Sequence, residues 1–417
     1  MPTSAYNKNT MQVEPKPLRQ KRTWFVLVAV IIVSMLVGAA ILFAAQYALK
    51  MYIEASSPDA TTAPSALSTQ APDVQITTVL SGLSHPWDVG FLPDGQMIFN
   101  QRKGTISVVR DSKAVTLAQI GDVLVDGEGG LLGLAVDPAF ADNRFIYTCF
   151  NSTKGGPDVR IARWRVNAGV TALEDRKDIV TTMPSNTAGR HSGCRIVFGP
   201  DGYLWVGTGD SARPNISPQT SQNPQSLGGK ILRIDRDGKG AVDNLGKPFD
   251  NRIYSYGHRN TQGIAFLPQP LNGVVGFSAE HGSTVDDEIN PLKKGNFGWD
   301  PDVGYLEIGV PMTGKQKFPD AIDALWRSGS TTQAPSGLAV ISGKQWKAWD
   351  GAIAMAMLKA THLKILTLDK QASIVKEERI LTDKGRIRSV HQGPDGNVYV
   401  TTDNGTNDEI IRLMVKR

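Results

Sequence analysis

One pattern recurs along this chain often enough to restrict its fold. An apolar run is followed by a turn built on Pro-Asp-Gly or a relative of it, a second apolar run, and a polar loop. It reads VGFLPDGQMIFN at 89–100, LLGLAVDPAFADNRFIYTCF at 131–150 and RIVFGPDGYLWVGTGD at 195–210. It returns as QGIAFLPQPLNGVVGFSAEHG at 262–282, SGLAVISGKQWKAWDGAIAMAM at 336–357 and RSVHQGPDGNVYVTTDNG at 388–405. Short apolar runs bounded by turn residues are strands. The Asp-Gly pairs at 94–95, 201–202 and 395–396 supply the positive φ that a tight hairpin needs. No long amphipathic helix interrupts the series. Six multi-strand units at a period of roughly 45 to 75 residues predict an all-β fold, a six-bladed β-propeller. Asp73–Leu80 and Glu409–Val415 are expected to pair and close the ring. A pair of β-sandwiches is the alternative.

The first fifty residues are different material. From Trp24 to Ala45 the chain is apolar and uncharged, and roughly 20 such residues cross a bilayer. Lys16, Arg19, Lys21 and Arg22 precede the run, which places the N-terminus in the cytoplasm. A cleaved signal peptide is the rival, but its apolar region is usually about 7–15 residues. Of the 45 Lys/Arg and 40 Asp/Glu, six and one lie in residues 1–53, leaving 39 of each. The outer part is therefore neutral and offers no basic patch for nucleic acid. Residues 55–74 are rich in Ser, Thr, Ala and Pro and cannot bury a core. The expected order is a cytoplasmic tail (1–23), a transmembrane signal-anchor helix (24–46), a flexible linker (47–74) and an extracytoplasmic propeller (75–417). Its two cysteines, Cys149 and Cys194, would lie where a disulfide is permitted; spacing does not show whether they meet.

A propeller scaffold hosts many functions, so the site has to be sought in side chains at loops around the central channel. Four loops carry unusual chemistry. Tyr256-Gly257-His258-Arg259-Asn260-Thr261-Gln262-Gly263 packs an imidazole, a guanidinium and two amides ahead of an apolar strand. Arg190-His191-Ser192-Gly193 puts a histidine, a proton acceptor near neutral pH, at another strand mouth. Glu280-His281-Gly282-Ser283 followed by Asp286-Asp287-Glu288 offers carboxylates and bare carbonyls, hard oxygen donors suited to Ca²⁺. Lys359, with Arg386 and Arg388 on one face of an extended segment, forms a cation set. Like charges on one face repel unless an anion sits between them, so a pocket holding all three implies a polyanionic ligand. Each loop taken alone also reads as an ordinary polar turn, structural histidine or solvated charge.

The run of HSGCRIVFGPDGYLWVGTGD, GGKILRID, YSYGHRNTQGIAF, EHG with DDEIN, GNFGW, APSG, LK, RIRSV and GPDGNVYVTTD, from about 78 to 415, resembles the soluble glucose/sorbosone dehydrogenase family. That family consists of six-bladed propellers using pyrroloquinoline quinone (PQQ). The resemblance implies His191 as the base that takes the proton of a sugar's anomeric hydroxyl while hydride leaves C1, giving a lactone. It implies Arg259 beside a quinone carbonyl, Asn260 and Thr332 as cofactor contacts, and Lys359, Arg386 and Arg388 on the cofactor's carboxylates. Gly282 and Ser283 would hold the cofactor's Ca²⁺ through their carbonyls, and Asp287 and Glu288 match an acidic pair linked to structural Ca²⁺. The chain departs from the glucose-oxidising pattern at the sugar end. Glu128 stands for Gln, Arg190 for Asp, Ser283 for Pro, and Cys194 for Gly, where it is expected to crowd the pocket. The expectation is a membrane-anchored PQQ- and Ca²⁺-dependent aldose dehydrogenase. Its sugar, bound by Glu128 and His191, and its electron acceptor are unspecified. A non-catalytic tethered binding propeller and a Ca²⁺-dependent lactonase are the alternatives; neither needs the cation set.

Overall fold

The computed structural model describes residues 70–212, 220–301 and 307–416. It is built almost wholly of short antiparallel strands. Strand β1 (Val74–Leu83) is followed by β2 (Pro86–Phe91), β3 (Met97–Gln101), β4 (Thr105–Arg110) and β5 (Lys113–Gln119). Next come β6 (Leu131–Val136), a four-residue helix α1 (Phe140–Asn143), β7 (Phe145–Ser152), β8 (Asp158–Val166) and β9 (Leu173–Met183). They lead to β10 (Gly193–Phe198), β11 (Leu204–Thr208), β12 (Lys230–Ile234) and β13 (Ile253–Tyr256). The chain continues through β14 (Thr261–Leu271), β15 (Val274–Glu280), β16 (Glu288–Pro291), β17 (Gly295–Asn296) and β18 (Trp326–Arg327). The last strands are β19 (Pro335–Val340), β20 (Ile353–Met357), β21 (His362–Leu368), β22 (Ile374–Ile380), β23 (Ile387–Gln392), β24 (Val398–Thr402) and β25 (Asp408–Val415).

These strands form six sheets: β2–β5, β6–β9, β10–β13 with β17, β14–β16 with β18, β19–β22, and β23–β25 with β1. Each recurring sequence unit is the inner hairpin of one blade. The turn glycines take the expected conformation, with φ of 85° at Gly95 and 77° at Gly202 and Gly396. β1 pairs antiparallel with β25, Val74 opposite Val415 and Thr78 opposite Ile411. N-terminal and C-terminal strands thus share one blade and close the ring, as the sequence predicts, and the sandwich alternative is excluded.

Both faces of each blade are covered by neighbours, so the inner strands are apolar nearly throughout instead of alternating. The six hydrophobic clusters of the described residues are the six seams between blades. Leu232, fully buried in the seam between the second and third blades, is the kind of residue whose truncation to Ala costs about 2–5 kcal/mol. The innermost strands β2, β6, β10, β14, β19 and β23 line a central channel filled by polar pairs. Arg195 binds Asp88 at 2.7 Å and donates to the Gln262 carbonyl at 2.8 Å. Arg388 reaches the Gln262 side chain at 3.3 Å, and the Trp87 ring lies under both guanidiniums.

The tail and the membrane span expected at 1–23 and 24–46 lie outside the described residues, as does most of the linker. Among the described residues no helix is long and apolar enough to cross a membrane.

Candidate active site

All the predicted site loops lie at one end of the channel. They are the segments leading into inner strands and those leaving second strands, which antiparallel blades bring to the same rim. His191 precedes β10, Arg259 and Asn260 precede β14, Thr332 precedes β19, and Gly282 and Ser283 follow β15. These residues share the lining of one cavity of about 290 Å³ with Glu128, Arg190, His281, Asp287 and Ala334. His191 and Arg259 therefore meet across the mouth of the channel.

His191 is 5% exposed and sits in a strained turn, with φ of 52° at His191, 59° at Gly193 and 75° at Cys194. Left-handed φ at a non-glycine residue is uncommon and persists only where the surroundings enforce it. Here Asp210, in the loop after β11, faces the ring at Nδ1, 2.7 Å away, and its other oxygen accepts the Trp299 indole N–H at 2.7 Å. An Nδ1–H donated to Asp210 makes Nε2 the basic nitrogen. Arg259 is fixed as firmly. Its main-chain N–H donates to Glu280 at 2.8 Å, Nε to Glu307 at 2.8 Å, and a terminal nitrogen to the His281 carbonyl at 3.0 Å. Asn260 donates to both oxygens of Glu128 at 3.3 Å and accepts the Gly193 N–H at 3.0 Å, tying two loops together. Glu128 also accepts the His191 main-chain N–H. Burial, with Arg259, Arg388 and His191 nearby, pushes His281 down to about 3, so its imidazole is neutral. His258 and Gln262 serve the scaffold: His258 bridges Ser255 and Glu280, and Gln262 orients Asn260.

A second cavity of about 300 Å³ is lined by His85, Arg102, Gly127, Glu128, Arg386, Arg388, Asp403 and Asn404. Glu128 belongs to both walls. Burial alone would raise Asp403, but Arg388 and His85 beside it hold its carboxyl at about 2. His85 lies 2.5 Å from one of its oxygens, and Arg388 grips the other through Nε at 3.0 Å and Nη2 at 2.5 Å. Arg388 is thus largely satisfied within the protein. Arg386 is less so: Nε donates to the Asp403 carbonyl at 3.0 Å, and the side chain stays 44% exposed. Burial and then the crowding of Arg388 and Arg102 depress its pKa, with Asp403 opposing. Arg102 donates to the Gly127 carbonyl at 3.1 Å, while its buried Nε has no partner among the described residues.

Three expectations change. Lys359 does not share a cavity with Arg386 and Arg388; exposed on the turn after β20, it donates at 2.8 Å to Thr332 in the lining of the first cavity, and Arg102 joins the two arginines in the second. Asp287 and Glu288 do not converge, because consecutive residues at the start of a strand face opposite ways. Asp287 lines the first cavity and accepts the N–H groups of Gly282 and Ala334, both at 2.8 Å, and of Gln333. Glu288 turns inward to Thr313 at 3.0 Å, Arg327 and Asn290 at 3.2 Å, and burial beside Glu280 lifts it to about 8. No group of three or more His, Cys, Asp or Glu among the described residues could hold a metal. Finally, Cys194 does not crowd the pocket: it is fully buried and disulfide-bonded to Cys149 on β7.

Sequence reasoning missed Asp210, Arg102, Asp403, His85 and Glu307. Four of them had a readable signal. Arg102, Asp210 and Asp403 each follow a second strand of the repeat, and His85 precedes a first strand, at the same rim as His191. Glu307, outside any repeat unit, had none.

The sequence profile of the Glucose / Sorbosone dehydrogenase family matches residues 83–412. The chain is 30% identical over 358 residues to the aldose sugar dehydrogenase YliI of Escherichia coli, covering 80% of this chain and 91% of that one. It is 28% identical over 414 residues to quinoprotein glucose dehydrogenase B of Acinetobacter calcoaceticus, covering 79% and 85%. Among solved structures, the PQQ-bound aldose sugar dehydrogenase of Streptomyces coelicolor superposes with a TM-score of 0.66 at 29% identity, covering 83% of this chain and all of that one. With a ring of six blades, a rim of loops that brings His191 to Arg259, and a profile match spanning all six blades, this chain belongs to the glucose/sorbosone dehydrogenase family of sugar-oxidising oxidoreductases.

Proposed function

We propose that the protein is a PQQ-dependent aldose dehydrogenase that oxidises a sugar at C1 to the lactone, with His191 as general base. The observation that carries this reading is the joining of two unlike cavities at Glu128. One holds an aspartate-oriented histidine opposite an arginine, and the other gathers Arg102, Arg386 and Arg388 in one lining with Asp403. The donor set fits a planar quinone with several carboxylates. Its anionic end would lie against Arg102, Arg386 and Arg388, and its carbonyl end against Arg259, Asn260 and Thr332. When bound, PQQ supplies the two-electron acceptor.

The protein's own contribution is placement and charge. Asp210 orients the imidazole so that Nε2 takes the hydroxyl proton, and it stabilises the imidazolium that forms. Arg259 presents a fixed positive charge where negative charge develops. Its partner Glu307 must yield when a carbonyl oxygen takes its place. Glu128 and Arg190 flank the sugar side and bring one charge of each sign. Ca²⁺ would be held by the main-chain carbonyls of Gly282 and Ser283 together with oxygens of the cofactor; Asp287 lines the same cavity, and Glu288 turns away from it. The uncharged run at 24–45 supports a membrane anchor with the propeller outside the cytoplasm. The electron acceptor is not specified by any of these residues.

The test is reconstitution of the purified protein with PQQ and Ca²⁺, followed by an aldose panel with an artificial electron acceptor. PQQ-dependent turnover is expected; failure to bind micromolar PQQ contradicts the reading. Binding without turnover on any aldose would make the protein a tethered binding module.

A further inference from the structure

The base loop is held by its neighbouring blade in a way the repeat does not require. Cys149 and Asn151 are alternate residues of β7, so they point to the same face. Cys149 is joined covalently to Cys194, three residues after His191. Asn151 donates to the Ser192 hydroxyl at 3.0 Å, next to His191 itself. Both cysteines are 0% exposed and Asn151 is 1% exposed. On the far side, a Cβ added at Gly209 would come within 1.9 Å of the His191 carbonyl oxygen, so the loop is pressed between β7 and that glycine. The β10–β11 register slips at this point, between Gly193 and Arg195, which leaves Cys194 in an irregular backbone at a φ of 75°. Such a conformation relaxes unless something holds it.

We propose that the Cys149–Cys194 disulfide is a positioning device for the catalytic base. β7 acts as a rail that grips the His191 loop at two points, one covalent and one hydrogen-bonded, and so sets where the imidazole meets the substrate. This rests on the reading of His191 as the base. Neither cysteine lines either of the two cavities described above, so the effect passes through the loop and not through contact with a ligand there.

The experiment uses the full chain loaded with PQQ. In Cys149→Ala/Cys194→Gly the bridge is gone, and glycine accepts the left-handed backbone without strain. A displacement of the base of order 1 Å costs about 10²-fold, so kcat is expected to fall by about tenfold to a hundredfold. PQQ affinity and the KM for the sugar should stay within about threefold, well inside that loss. Amide exchange of residues 189–194 should speed up in the same variant, with or without PQQ. Ser192→Ala, which removes the second grip and keeps the bridge, should lower kcat several-fold; it decides the matter if the double variant fails to fold. A kcat within twofold of wild type in folded variants, whatever the change in melting temperature, makes the disulfide a stability staple and overturns the proposal. A wild-type protein that shows no PQQ-dependent turnover overturns the functional reading instead. The exchange measurement then still reports whether the bridge orders the loop, and unchanged exchange overturns that as well.

Discussion

The two cavities meet at one side chain, Glu128, yet their charges are arranged differently. In the first, the groups nearest the chemistry are already paired: His191 with Asp210, Arg259 with Glu307, Asp287 with three main-chain N–H groups; the buried His281 Nε2 lacks a partner among the described residues. In the second, Arg388 grips Asp403, Arg386 lies 3.8 Å from the same carboxylate, and Arg102 reaches only the Gly127 carbonyl, its buried Nε without a partner among the described residues. Chemistry gains from groups fixed before the substrate arrives. Anion binding gains from donors that the protein leaves for the ligand. The contrast separates where the reaction occurs from where the cofactor is gripped, and mutations should divide along the same line.

The largest effect is expected at the matched end. His191→Ala should lower kcat by about 10²–10⁴-fold while PQQ still binds, as read by an absorbance titration. Loss of binding as well would make His191 a structural residue and break the comparison. Asp210→Asn should lower kcat in the same direction, because the amide no longer selects the productive tautomer. At the other end, Arg102→Ala and Arg386→Ala should each weaken PQQ binding about tenfold or more, since a charged hydrogen bond contributes about 1.5–3 kcal/mol. The turnover of saturated enzyme should be little changed. Arg388→Ala should differ from both. It leaves the buried Asp403 carboxylate without its main partner, which costs about 3–5 kcal/mol of stability, so the melting temperature should drop before affinity can be compared.

A smaller effect is expected at Glu307. Its carboxylate occupies Arg259 and also lies 3.6 Å from Arg190. Glu307→Gln removes a charge that competes with the incoming cofactor, and PQQ affinity should rise a few-fold in titration. Unchanged or weaker binding would mean that Glu307 orients Arg259 and does not block it.

The smallest effect is a pH dependence of the apo-protein. Glu288 is raised from 4.5 to about 8, mainly by burial and then by Glu280. The folded state therefore binds a proton that the unfolded chain has released. That stabilisation is fully present below about pH 4.5 and lost as pH rises through about 8. With chelator present, the melting temperature should decline by a few degrees across this window, and Glu288→Gln should flatten the decline. Persistence of the full slope in that variant would assign it to another group.

The blades were legible because each inner hairpin states itself locally: two apolar runs and a turn glycine that needs positive φ. Ring closure was legible for the same reason, since Asp73–Leu80 and Glu409–Val415 have no partner nearer in sequence. The outer strands were less so; β22, with Lys376, Glu377 and Glu378 in sequence, is an exposed edge whose pattern is that of a polar loop. In the site, His191, Arg259 and Asn260 stand in loops with dense local chemistry. Arg102 and Asp403 do not. They acquire meaning only when the sixth blade closes against the first and sets Asp403 beside His85. Glu288 was misplaced because the motif reads as a pair of acids, whereas strand geometry turns neighbours to opposite faces. Whether Cys149 meets Cys194 depends on the seam between two blades, which no spacing rule reports.

The central claim is that one protein surface unites a cofactor grip with a proton-taking histidine. The most direct measurement is a PQQ titration of the full-length protein with Ca²⁺, comparing wild type, Arg386→Ala and His191→Ala and following binding and aldose-dependent turnover together. Wild type should bind and turn over, Arg386→Ala should need more PQQ to reach near-normal turnover, and His191→Ala should bind normally and remain inactive. If the two variants lose binding and turnover in the same proportion, the two cavities are not divided in this way and the account is wrong.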